Sequence, residues 1–100
     1  MDALSTIELD PVLHQPLRTR LMAYLATRGE ATFTELKQAL DATDGNLEAH
    51  VKKLSAAKYL KVRKEAAETR TQTIYTLTPA GKSAFQNYVD ALQRLLALNP

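Results

Sequence analysis

Cysteine is absent from all 100 residues, which removes disulfides, thiolate metal ligands and thiol nucleophiles, and fits a reducing compartment. Glycine and proline, at three and four, are too few for a collagen-like, low-complexity or disordered chain. No apolar run approaches the roughly 20 residues of a membrane span. The N-terminal MDALSTIELD carries three acids and no base, the reverse of a secretory signal. No repeat suggests a solenoid. What remains is an ordinary globular balance, 45% hydrophobic and 24% charged, so the expectation is one soluble, cytoplasmic domain over residues 1–100.

The net charge of +2 conceals an uneven distribution. Residues 46–75 hold seven bases (Lys52, Lys53, Lys58, Lys61, Arg63, Lys64, Arg70) against three acids (Glu48, Glu65, Glu68), an excess of four positive charges. The remainder carries six bases and eight acids, an excess of two negative ones. A basic third between acidic ends suits a surface offered to a polyanion, although a charge-rich stretch is also what a solvated face looks like.

Periodicity gives the elements. Asp10-Pro11 is a helix-start signal, and Leu13, Leu17, Leu21 and Leu25 form a stripe ending near Gly29; Pro16 places the regular part after a separate turn at 11–15. Ala31-Thr32-Phe33 reads as a brief edge strand, and Thr34 as the cap of a short helix, Glu35 to Leu40, with Leu36 and Leu40 inward. Thr43 or Asp44 caps the next helix, Gly45 to about Ala57. There Leu47, Val51 and Leu54 point inward and Gly45, Ala49, Lys52, Lys53 and Ala56 outward, with Asn46 at one side. Two helices about three residues apart are helix-turn-helix spacing.

Tyr59 to Lys64 alternates apolar and basic residues, a half-exposed strand with Leu60 and Val62 inward, and Arg70–Leu77 is its partner across a tip at 65–69. Thr78-Pro79 then caps a helix running to about Leu98. Phe85, Tyr88, Val89, Leu92, Leu95 and Leu96 line one flank of it. A core already supplied by Leu17, Leu21, Leu25, Leu36, Leu47, Val51, Leu54, Leu60 and Leu77 leaves these six as the expected interface of a homodimer. The fold class expected is α+β, mainly α: a winged helix-turn-helix with a two-stranded wing and a long C-terminal dimerisation helix.

The segment TDGNLEAHVKKLSAAKYL, from Thr43 to Leu60, resembles the recognition-helix signature of MarR- and ArsR-like winged-helix transcriptional regulators. Upstream, HQPLRTRLMAYL is similar to their "PxR…L" first helix. RTQTIYTLTPAGKSAF is similar to the strand leading into the "YxLTxxG" start of their last helix. The resemblance covers residues 14–90 and implies a recognition helix in the DNA major groove with the hairpin on the flanking backbone. Three departures stand out. Lys58 occupies a position usually held by Gly, so either a left-handed Lys costs about 1 kcal/mol or the turn differs. Glu48 and Ala49 replace the frequent Ser and Arg, which removes the most favoured base-reading donor. No Cys pair or His cluster supports metal sensing.

The expected DNA-binding residues are Thr43, Asp44, Gly45, Asn46, Ala49, Lys52, Lys53, Arg63, Lys64, Arg70 and Gln72. Asn46 suits a bidentate contact with adenine, and Thr43 to Gly45 bring backbone amides near phosphate. Asp44 fits a helix cap better than a base reader. Lys52 and Lys53 are phosphate contacts or solvated charges, and the wing bases face partial pairing with Glu65 and Glu68. His14 and His50 read as structural hydrogen bonders rather than ligands. No catalytic residue, metal site or cofactor is expected, and no effector is identifiable. The function expected is a dimeric repressor on an inverted-repeat duplex operator, with a protein-interaction module and a nonspecific architectural DNA binder as alternatives.

Overall fold

The structure, a computed structural model, describes residues 6–97. Its elements run α1 (Pro16–Arg28), β1 (Glu30–Thr32), α2 (Phe33–Ala39), α3 (Asp44–Ala56), β2 (Leu60–Ala67), β3 (Arg70–Leu77) and α4 (Pro79–Ala97). The three strands form an antiparallel sheet in the order β1-β3-β2. This is the winged helix-turn-helix expected, with Leu13, Leu21, Leu25, Leu36, Leu47, Leu54, Leu60 and Leu77 all in one buried cluster. Leu17 is only partly buried, because Leu13 reaches the core from the preceding turn. That turn is closed by Asp10, whose carbonyl accepts from the Leu13 and His14 amides and whose Oδ1 accepts from the Val12 amide.

Several boundaries differ from the sequence reading. Thr32, not Thr34, caps α2, in a reciprocal box in which Thr32 Oγ1 accepts from Glu35 N and Glu35 Oε1 from Thr32 N. One residue thus ends β1 and starts α2, with no loop between to signal the change. The hairpin tip is only Glu68-Thr69, since Ala67 pairs with Arg70: β3 has the bounds expected, and β2 runs on past Lys64 to Ala67. Val62, expected inward, is 45% exposed. It points the same way as Leu60 but lies where the wing has left the core. The end of the last helix at Leu98 lies outside the described residues.

The ends of α2 and α3 share one device. The Ala42 amide donates to Lys37 O and the Asp41 amide to Gln38 O; Tyr59 N and Lys58 N repeat this on Leu54 O and Ser55 O. Each is a Schellman turn needing a left-handed residue, here Asp41 at φ 51° and Lys58 at φ 66°. The turn after α3 is therefore kept without glycine, and Lys58 bears the strain. Gly81 is different in kind. A Cβ there would sit 2.2 Å from the Tyr59 carbonyl oxygen. Tyr59 O also accepts from Thr78 N, and Thr78 Oγ1 donates to Lys58 O and accepts from Gly81 N. The LTxxG stretch thereby ties the start of α4 to the end of α3.

Candidate nucleic-acid interface

α3 is fixed from behind. Leu47 and Leu54 are fully buried and Val51 nearly so. The cap is Thr43, whose Oγ1 accepts from Asn46 N at 3.2 Å. Asp44 is neither cap nor free acid, because Lys37 Nζ lies 2.7 Å from its Oδ1 across the helix-turn-helix. His50 Nδ1 accepts from Arg18 Nη1 at 2.9 Å, and Arg18 Nε donates to Val12 O at 2.6 Å, so α3 is anchored to α1 and its preceding turn. Burial, then the Arg18 and Lys53 charges, lower the His50 pKa from its ordinary value of 6.5. The structural hydrogen bond expected of His50 is present, as is one for His14, whose Nδ1 lies 2.8 Å from Tyr88 OH.

The opposite face of α3 is open. Gly45, Asn46, Ala49, Lys52 and Lys53 are all exposed, and neither lysine ammonium has an ion-pair partner among the described residues. Thr43 and Asp44 are exposed at the same end. A groove of about 530 Å³ separates the flank of this helix from β3; its walls include Phe33, Glu35, Glu48, Gln72, Thr73 and Tyr75, with Arg70 at its rim. α3, the start of α2 and the wing therefore border one depression. Tyr75, inside it, has its pKa raised by burial and then by the Glu48 carboxylate.

The wing divides its bases. Lys64 and Arg70 are exposed and unpaired among the described residues. Arg63 is not free: Nη2 lies 3.2 Å from Glu30 Oε1 and Nε 3.2 Å from Glu65 Oε2, and both acids raise its pKa. Pairing with Glu65 was legible from their i, i+2 spacing. Glu30 was not, since it arrives through β1, whose register places Thr32 opposite Ile74 and so puts Glu30 on the Arg63 face of the sheet.

α4 starts at the wing root and continues for 19 residues. Tyr88, expected at a dimer interface, is 5% exposed within the chain's own core, drawn in by His14. Phe85 and Leu92 pack partly on that core, whereas Val89 and Leu95 are half-exposed outside it and Leu96 is 71% exposed. Among the described residues no helix is long and apolar enough to cross a membrane, and no three His, Cys, Asp or Glu side chains group as metal ligands.

The family model of winged helix DNA-binding domains matches residues 17–96, which takes in every element from α1 to α4. The chain belongs to this winged-helix DNA-binding family of transcriptional regulators. An uncharacterized protein of Methanocaldococcus jannaschii is 33% identical to this winged helix over 84 residues, 84% of the chain and 91% of the relative. The solved structure of a transcriptional regulator homologue from Pyrococcus horikoshii OT3 is 28% identical, with a TM-score of 0.87 and both chains covered in full. A possible transcriptional regulator for arsenical resistance is 27% identical at a TM-score of 0.62, covering 86% of the winged helix and 90% of that chain. Winged-helix regulators bind double-stranded DNA.

Proposed function

We propose that the chain is a sequence-specific, cytoplasmic transcriptional repressor that binds double-stranded DNA as a homodimer. Helix α3 enters the major groove, the wing rests on the flanking backbone, and repression follows from occlusion of the site. The observation that carries this reading is the asymmetry of α3: three apolar residues buried on one side, and on the other small residues with two unpaired lysines. Lys52 and Lys53 take phosphates, Asn46 reads adenine, and Lys64 and Arg70 touch the backbone from the wing. Gln72, half-buried on the groove wall, contributes from β3.

Dimerisation is assigned to α4. Val89, Leu95 and Leu96, with the outer edges of Phe85 and Leu92, form an apolar stripe that the chain's own core leaves partly uncovered. An identical stripe on a second copy covers it under two-fold symmetry. Two α3 helices then fall about one DNA turn apart, on an inverted repeat with half-sites about 10 bp apart, centre to centre. Selection of bound fragments from a genomic duplex pool tests both statements: recovery of an inverted repeat of that spacing is expected. Fragments without a shared sequence, or a monomer by light scattering at micromolar concentration, contradict specificity and dimerisation respectively.

A further inference from the structure

The centre line of the outward face of α3 consists of Gly45, Ala49 and Ala56, whose side chains carry no hydrogen-bonding group. At 100° per residue, Asn46 and Lys53 stand on one flank of that line, and Glu48 and Lys52 on the other. Small residues at the centre let the helix sit deep, and base reading passes to its flanks. On the flank beside the wing, Glu48 is the polar side chain in the first two turns that reaches past the backbone.

Glu48 is exposed and has no hydrogen-bond or ion-pair partner among the described residues. The acids around it are engaged. Glu35 accepts from Thr32 N at 3.2 Å, Asp44 holds Lys37, and Glu30 and Glu65 share Arg63. Its carboxylate borders the groove between α3 and β3. Carried toward DNA, a free carboxylate is repelled by both phosphate rails and loses hydrating water. A donor on a base edge offsets this. The major groove offers two, cytosine N4 and adenine N6, but the N7 acceptor beside adenine N6 repels a carboxylate. Guanine presents only acceptors, and thymine an acceptor and a methyl group.

We infer that Glu48 is a specificity-determining residue, accepting a hydrogen bond from a cytosine amino group in the major groove and rejecting the other three bases at that position. The inference rests on the DNA-binding reading above and sharpens it. Discrimination comes as much from what the carboxylate repels as from what it accepts.

The test uses the full chain, wild type and Glu48→Gln, on the preferred duplex selected from a random pool and on its single base-pair substitutions. Wild type is expected to prefer cytosine at one position per half-site by about fivefold or more. Glu48→Gln is expected to bind the substituted duplexes more tightly, with a drift toward adenine there and an unchanged profile elsewhere. Glu48→Ala, which also keeps an exposed position, is expected to lose the preference without that drift. An equal gain in affinity on every duplex overturns the inference and makes Glu48 a plain repulsive charge. An unchanged base profile overturns it as well. Failure of the wild type to bind any duplex in a salt-dependent way is a separate result, which removes the DNA-binding reading itself.

Discussion

Helix α3 and the wing hold most of the positive charge of the basic third, yet they hold it differently. On α3 the two outward lysines are unpaired, and the helix beneath them is clamped by buried leucines, a Thr cap and the Arg18–His50 bond. On the wing strands, Arg63 is bound by two carboxylates, whereas Lys61, Lys64 and Arg70 are exposed with no ion-pair partner among the described residues. Charge counted along a sequence is thus a poor guide to charge available to a polyanion; what decides is which acids the fold delivers to each base.

The largest effect is expected where the rigid backing of α3 is removed. Leu47 is fully buried, and Leu47→Ala should cost about 3 kcal/mol of unfolding free energy, measured by urea denaturation. A loss below about 1 kcal/mol would mean that the helix floats on its core and that the contrast with the wing is illusory.

The contrast itself is read by salt dependence. Lys52→Ala with Lys53→Ala should flatten the slope of log affinity against log salt by about two per subunit, whereas Arg63→Ala should change it by well under one, because that charge is already neutralised within the chain. Equal changes per residue from helix and wing would show that Glu30 and Glu65 release Arg63 to phosphate. A smaller gain concerns the junction of the two regions. Lys58→Gly removes a left-handed side-chain strain and should stabilise the fold by about 1 kcal/mol, read as a raised melting temperature.

The smallest effect is a pH dependence. The His50 pKa is lowered in the folded chain, so the unfolded chain binds the proton first as pH falls below 6.5. Stability associated with neutral His50 is complete above that value and declines through the folded-state value beneath it. His50 is half-buried rather than fully enclosed, so the decline is modest. Urea midpoints at pH 7.5 and 5.5 should separate slightly for the wild type and less for His50→Asn; a wild type more stable at the lower pH contradicts the assignment.

Helix stripes made α1, α3 and α4 legible, since burial of a leucine every third or fourth residue is a local property. The helix-turn-helix, the outward face of α3 and the wing were legible for the same reason. What stayed hidden was non-local. Glu30 meets Arg63 only through the pairing of β1 with β3. Tyr88 turns inward because His14, 74 residues away, supplies its hydrogen bond. Gly81 is required by the Tyr59 carbonyl rather than by its own backbone angles. Thr34 looked like a cap because it precedes Glu35, but a capping box needs its acid three residues on, which selects Thr32. Glu48 was left out of the candidate contacts because an acid in a basic stretch reads as a counter-charge; its place on the groove between α3 and β3, with no hydrogen-bond or ion-pair partner among the described residues, is what distinguishes it.

Backbone amide shifts of the labelled chain, followed by NMR during titration with the selected duplex, show which surface meets DNA. The largest changes are expected along residues 43–56 and at the wing tip around residues 68–70, with the α1 core and the Glu30–Arg63 face nearly still. Changes confined to the Glu30–Arg63 face or to α4, with α3 unmoved, would contradict the assignment of α3 to DNA.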